Sequence, residues 1–368
     1  MIKRFTHLLY CALLLSGCSQ HIIDDLALID TVTYDLSENE EKPLTVAVNY
    51  PIVTKEGDFD NEVLSVDAKS SKDARLQFKN MTNLELVSGQ LTVALFGEEF
   101  AKTGISDILD TFMRDPSLGP RVYFAISEGR AIDFINLKPK QGPNPPKYLR
   151  TIFERAAYTK EVTNYNSLQF IRDYFDDGID PIMPYIILKD GKINLDGYAL
   201  FDRDQFIEKI SPEQASILFF LRKDIPRGTI SMEVGREKES NFPKQLLFNY
   251  HQKKFDLDIK MSSTNPISVD ITIELEGSVL EYTGETLLDA EKAQKKFEKK
   301  INRYLTGKSL ETFQHFQELG VDPLGIGAHV RNKLSYKEWK EMNWDEVYPT
   351  ITLNVHPKMK FMNIGQAK

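Results

Sequence analysis

The chain has two cysteines and six histidines among its 368 residues, and these few side chains bound its chemistry. Cys11 and Cys18 both fall in the first 18 residues, which excludes a disulfide scaffold or a cysteine-ligated zinc cluster in the body. His7 and His21 lie near the start. His251, His315, His329 and His356 are too far apart to form a metal-spaced pair. No G-x-S-x-G elbow, phosphate-binding P-loop or dinucleotide fingerprint occurs, and Gly325-Ile326-Gly327 is too short for a phosphate loop. With 54 acidic residues in the chain, adjacency of carboxylates carries little information, and Asp176-Asp177 reads as a solvated helix end. The expectation is a protein that is not an enzyme, with no catalytic group, no metal and no cofactor. One reactive group has a telling context, the thiol of Cys18.

Lys3 and Arg4 precede an uncharged apolar run, Leu8 to Leu15. That run is shorter than the ~20 apolar residues of a spanning helix, and the layout is that of a secretory signal peptide over residues 1–17. It ends in Leu15-Ser16-Gly17-Cys18, which resembles a bacterial lipobox. The resemblance implies cleavage just before Cys18 and a thioether-linked diacylglycerol on its sulfur. Serine in that place would be too weak a nucleophile. Two acyl chains hold a protein on a bilayer stably, at about 0.8 kcal/mol per buried methylene. No later segment reads as long and apolar enough to cross a membrane, so the expectation is a soluble body tethered outside the cytoplasmic membrane. Lys plus Arg total 46 against 54 acids, a formal charge of -8. A whole-chain nucleic-acid binder would read basic, so no nucleic-acid partner is expected.

The body alternates in texture. Thr45–Asn49, Leu91–Phe96 and Arg121–Ser127 read as strands, and Leu36–Pro43 as an acidic loop. Phe100 to Phe112 has helical spacing. A proline-rich turn covers Pro139–Pro146, and two amphipathic helices follow, marked by Tyr148 to Ala156 and Leu168 to Phe175. Lys189-Asp190-Gly191-Lys192 separates two apolar runs and predicts a hairpin. Ser211-Pro212-Glu213-Gln214 predicts a capped helix start. After about Asp224, Phe255 to Met261 and Ile267 to Leu275 alternate with polar residues, which predicts antiparallel strands with one wet face. Leu287–Leu305 reads as a long helix and Leu310–Leu319 as a shorter one. Lys292, Lys295, Lys296, Lys299, Lys300 and Arg303 read as a solvated face, with Glu291, Glu298 and Lys295 in helix pairs. Ile351, Leu353 and Val355 read as a last strand. Helices and strands are mixed rather than strictly alternating. The expected class is therefore α+β, multi-domain, with largely antiparallel sheets. The expected division is a domain over 18–200 and a C-terminal region over 201–368, itself of one part or two.

Three blocks give the chain a family resemblance. The first runs from Val93 to Ala125 and contains Gly97-Glu98-Glu99-Phe100-Ala101. The second is Gly197-Tyr198-Ala199-Leu200-Phe201 with Asp204, Phe206 and Ile207. The third places Asp322-Pro323-Leu324-Gly325-Ile326-Gly327 before Trp339 and Trp344 and an alternating strand. With the lipobox, these blocks resemble the Ger(x)C family, the C subunits of nutrient germinant receptors in endospore-forming bacteria. Glu208 and Pro357 stand where that family tends to have glycine. The third block also has a physical reading of its own. Its glycines permit a tight turn, and the two tryptophans lock that turn to the final strand. Asp322, Gly325, Gly327, Trp339 and Trp344 are thus a candidate structural or interaction motif.

The resemblance implies a non-catalytic, lipid-anchored subunit on the outer face of the spore inner membrane. Its partners would be integral A-type and B-type receptor subunits, and its role receptor assembly or signal relay. It also implies a fold arrangement unlike common enzyme folds. An alternative is a lipid-anchored solute-binding protein of an importer, which would favour two similar α/β lobes. A cell-wall hydrolase or transferase would need a catalytic constellation that the sequence does not display.

Overall fold

A computed structural model describes residues 25–53, 59–137, 145–159, 166–222, 227–235, 244–261, 266–283 and 291–363. The signal run, the lipobox with Cys18, and most of the Pro139–Pro146 turn lie outside the described residues.

Ten strands come from the first part of the chain. They are β1 (Leu26–Leu28), β2 (Thr31–Leu36), β3 (Leu44–Val53), β4 (Phe59–Ala68), β5 (Glu85–Val87), β6 (Val93–Gly97), β7 (Tyr123–Ser127), β8 (Ile182–Lys189), β9 (Lys192–Asp202) and β10 (Gln205–Ile210). Eight of them form one sheet in the order β10-β9-β8-β7-β6-β2-β3-β4, while β1 and β5 pair apart. Contacts β2–β6, β6–β7 and β7–β8 are parallel, and the outer pairs are antiparallel. The parallel centre is richer than the sequence pattern indicated. Its strands are mostly buried, and VALFG of β6 wholly so. Both faces of β6 are covered, so that strand carries no polar alternation. One face belongs to the main hydrophobic core, and the other to a separate cluster around Leu95, Phe134, Leu149 and Phe153.

The expected hairpin is present. Asp190 (φ 52°) and Gly191 (φ 69°) turn β8 into β9, which suits the right-handed twist of the flanking strands. The single helix expected from Phe100 to Phe112 is two, α2 (Glu98–Lys102) and α3 (Ser106–Arg114), following α1 (Ser71–Phe78). The break is tertiary in origin. Gly104 has φ +100°, and a Cβ there would stand 2.7 Å from Asp204 Oδ2. That same carboxylate accepts the Ser106 N–H at 3.0 Å.

Three further helices, α4 (Ile132–Ile135), α5 (Pro145–Thr159) and α6 (Ser167–Phe175), lead to β8. Pro145 and Pro146 therefore open a helix rather than close a turn. After β10 comes α7 (Pro212–Arg222), with the capping box the sequence predicts. The Gln214 N–H donates to Ser211 Oγ at 3.2 Å, and the Ser211 N–H to Gln214 Oε1 at 3.0 Å.

The remainder forms a four-stranded sheet, β11 (Arg227–Gly235), β12 (Lys244–Lys260), β13 (Ser268–Tyr282) and β14 (Thr352–Asn363), in that order. Alternate residues of β13 are buried, as its period-two pattern requires. The last strand runs on to Asn363 and lies parallel to β13. Pro357 sits inside it rather than beyond it, which an edge strand tolerates.

One continuous helix, α8 (Glu291–Leu319), crosses this sheet where two were expected. Gly307 does not break it; a glycine inside an exposed helix costs only about 1 kcal/mol. Phe297, Ile301, Leu305, Phe313 and Phe316 are its buried stripe. Its polar residues close the outer edge of β14: Asn302 Oδ1 accepts the Met359 N–H at 2.9 Å, and Glu298 Oε1 the Phe361 N–H at 3.1 Å. A sheet edge otherwise open to another chain is thus satisfied internally. Glu298 is spent on the strand, not on a helix pair, while Lys295 does pair with Glu291.

Candidate functional site: an aspartate-lined cleft between two turns

Two turns that are distant in sequence meet beside the junction of the two sheets. The first follows α6 and reads Asp176-Asp177-Gly178-Ile179-Asp180. The second follows α8 and reads Gly320 to Gly325, leading into α9 (Ile326–Arg331). They are stitched together reciprocally. The Asp322 N–H donates to Asp180 Oδ2 at 2.6 Å, and the Asp180 N–H donates to the Asp322 carbonyl at 3.0 Å. The Asp322 carboxylate turns the other way and accepts the Ile326 N–H at 3.1 Å and the Gly327 N–H at 2.7 Å. It thereby satisfies donors that the start of α9 would otherwise leave unpaired.

Glycine is required where the turns cross. A Cβ on Gly327 would lie 2.7 Å from both Gly178 Cα and Trp344 Cε2. One on Gly178 would lie 2.5 Å from the Gly327 carbonyl carbon. The approach is sealed by the Ala328 N–H donating to the Gly178 carbonyl at 2.8 Å. Gly325 stands just before α9 in the left-handed region, φ 69°.

Two short helices, α10 (Tyr336–Glu341) and α11 (Trp344–Val347), bring the tryptophans over this crossing. The Trp339 and Trp344 rings are 5.7 Å apart, and Trp344 and Tyr348 5.8 Å apart. Arg222 at the end of α7 braces the turn from behind, donating to the Pro323 carbonyl at 3.0 Å and facing the buried Asp173 carboxylate at 3.6 Å. Asp176 and Asp177 do stand at the end of α6 with their side chains partly exposed, and both are also ion-paired. Asp176 pairs with Arg331, and Asp177 with Lys340 at 3.0 Å. The Lys340 ammonium holds the Asp177 carboxyl below the usual carboxylate range.

In front of the crossing is a cleft of about 780 Å³. Its floor carries Asp180, Asp322 and Tyr348, and its mouth Phe175, Asp202 and Asp345. Burial pushes the Asp322 carboxyl up to about 7, and the charge of Asp180 adds to the rise. Burial likewise pushes Asp180 up to about 6, with Asp202 and Asp345 raising it further. The two floor carboxyls thus titrate near neutrality. Tyr348 is 2% exposed, and burial beside those charges raises its phenol well above the ordinary range. Its hydroxyl has no hydrogen-bond partner among the described residues. At the mouth, Phe175 is 61% exposed. Among the described residues no three metal-ligating side chains come close enough to hold an ion.

All five motif residues named from the sequence, Asp322, Gly325, Gly327, Trp339 and Trp344, therefore gather at one place. Cys18 lies outside the described residues. Sequence reasoning missed Gly178, Asp180, Arg222 and Tyr348. A glycine directly after an Asp-Asp pair and before another aspartate was the signal at hand, but its partner lies 142 residues away.

Comparison with known proteins yields a consistent set. The model for the spore germination protein N-terminal domain matches residues 19–188, and that for the spore germination B3/GerAC-like C-terminal domain matches residues 196–365. The spore germination protein GerQC of Bacillus cereus is 24% identical over 367 residues, 99% of each chain. The spore germination protein A3 of Bacillus subtilis (strain 168) is 21% identical over 229 residues, 61% of each. Among solved structures, the crystal structure of the GerBC protein is similar in fold, with a TM-score of 0.57 at 14% identity, over 92% of this chain and 99% of that one. The cleft draws one turn from each matched region.

Proposed function

This chain belongs to the Ger(x)C family of spore germination proteins, and we propose that it is the lipid-anchored C subunit of a nutrient germinant receptor. In this reading Cys18 carries a diacylglycerol that holds the body on the outer face of the spore inner membrane. Integral A-type and B-type subunits lie beside it, and the chain serves receptor assembly or signal relay rather than catalysis. The two acyl chains on Cys18 and the membrane-bound neighbours raise the effective concentration of the body at that surface, so modest contacts suffice for association.

The observation that carries the reading is the pair of family matches, which together run from residue 19, immediately after Cys18, to residue 365. No helix among the described residues is long and apolar enough to cross a membrane, which accords with attachment through the N-terminal cysteine. The importer alternative would favour two similar lobes, whereas an eight-stranded mixed sheet stands against a four-stranded sheet crossed by one long helix.

The test is isolation of the chain from spore inner membranes in mild detergent, followed by mass spectrometry. Two multi-span subunits and a diacylated peptide beginning at Cys18 are expected. Importer components, or the lipoprotein alone with a bound solute, would overturn the reading. A Cys18→Ala chain should lose the membrane fraction. Normal receptor level and germination in that variant would count against the anchor.

A further inference from the structure

The mouth of the cleft is unbalanced in charge. Six aspartates line it, Asp176, Asp177, Asp180, Asp202, Asp322 and Asp345, against two cations, Arg203 and Lys340. Four of the aspartates are spoken for. Asp176 and Asp177 are ion-paired, and Asp180 and Asp322 accept backbone N–H groups. Asp202 and Asp345 are exposed and have no hydrogen-bond or ion-pair partner among the described residues. Lys340 is committed to Asp177 and lies over the Tyr336 ring at 5.9 Å. Arg203 donates its backbone N–H to Asp180 at 3.4 Å, and its guanidinium forms no ion pair among the described residues. Asp202 and Asp345 line the same cleft as Asp180, and their charges act on it.

A second observation is independent of the acids. The Tyr348 hydroxyl, on a side chain that lines the cleft and is 2% exposed, has no partner among the described residues. A buried hydroxyl left unpaired is costly, and an N–H donor entering the cleft would satisfy it. The half-buried Trp344 ring borders the cleft, and an indole face stabilises a cation. The carboxylates are too dispersed for a bare metal ion, which favours a larger, delocalised cation. The rim exposes Phe175 at 61%, with Tyr174 packed against it at 4.8 Å. An exposed aromatic beside a desolvated charged pocket is the pattern of a protein contact rather than of an enclosed small-molecule site.

We propose that this cleft receives an arginine side chain of a partner polypeptide, with the guanidinium between Asp202 and Asp345 and its N–H donors directed toward Tyr348. The proposal deepens the receptor-subunit reading. Its site would lie where the N-terminal and C-terminal halves meet, so occupancy would bear on both.

The chain contains two tryptophans, and both line the cleft. Intrinsic tryptophan fluorescence of the full chain therefore reports on this site. Three probes are titrated: N-acetyl-arginine N-methylamide, its neutral citrulline counterpart, and free arginine. The blocked arginine should give a saturable change, and citrulline at least about tenfold weaker binding. Asp202→Asn/Asp345→Asn should weaken the blocked arginine by a similar factor without moving the thermal midpoint. No saturable response, an equal response to citrulline, or full binding by the double variant would overturn the proposal. Binding of free arginine but not of the blocked form would overturn the polypeptide occupant in favour of a small molecule. None of these outcomes depends on which subunits co-purify, so the two readings fail separately.

Discussion

Asp35 on β2 and Asp322 beside the cleft perform the same local task in different surroundings. Asp35 is 2% exposed and accepts the Ala131 N–H at 2.6 Å and the Ile132 N–H at 2.9 Å, fixing the start of α4. Asp322 is equally buried and does the same for α9. Each lies beside a glycine that cannot carry a side chain. At Gly97 a Cβ would stand 2.1 Å from Asp35 Oδ1, and at Gly327 it would strike the Gly178 backbone. The difference lies outside this shared device. Strand β2 is paired on both sides, with β3 and β6, whereas Asp322 borders an open cleft where Tyr348 is unpaired and two aspartates are free. A sealed carboxylate cap is scaffold alone. An open one supplies a rigid floor on which unsatisfied groups are held ready for contact.

The comparison breaks most readily at the glycines. Gly327→Val should cost about 3 kcal/mol or more, because backbone opposes backbone and neither turn can retreat. Gly97→Val should cost a similar amount by expelling the Asp35 carboxylate. Urea unfolding measures both, and a wild-type midpoint in either variant would contradict the crossing geometry. Next come the carboxylates. Asp35→Ala and Asp322→Ala each leave two buried N–H groups without acceptors and should cost about 2–4 kcal/mol. Markedly unequal costs would show that the two caps are not equivalent.

A smaller effect follows pH. Asp180 and Asp322 have folded values of about 6 and about 7, both above the ordinary 3.8. The folded state therefore binds more protons than the unfolded state in between. The contribution of these groups is fully present below about pH 4 and is lost as pH rises through about 6 and 7. Asp322→Asn should flatten the fall in urea midpoint between about pH 4 and pH 7; an unchanged slope would contradict the assignment. Smallest is Asp202→Asn/Asp345→Asn, expected to shift stability by less than about 0.5 kcal/mol. A larger loss would make the mouth scaffold as well.

What the sequence made legible follows contact distance along the chain. The Asp190-Gly191 hairpin and the Ser211–Gln214 capping box are local, and each forms as its residue types require. Asp322, Gly325, Gly327, Trp339 and Trp344 fall within one short stretch, and the family resemblance together with the tight-turn reading of the glycines marked them as a motif. The helix break at Gly104 was hidden because the carboxylate that makes it useful is Asp204, 98 residues beyond the Ser106 amide it accepts. Asp180 was hidden for the same reason, with its partner amide on Asp322. In the opposite direction, the apolar spacing put a helix end between Leu305 and Leu310 that packing overrides. The buried side continues without interruption through Ser309, Thr312 and Phe313.

The most direct measurement compares the wild-type chain with Asp202→Asn/Asp345→Asn after isolation from spore inner membranes, scoring protein level, thermal midpoint and co-purifying integral subunits together. A rigid floor with a contact-making mouth predicts equal level and equal midpoint, with the integral subunits largely lost from the variant. Retention of those subunits at the wild-type ratio would contradict it.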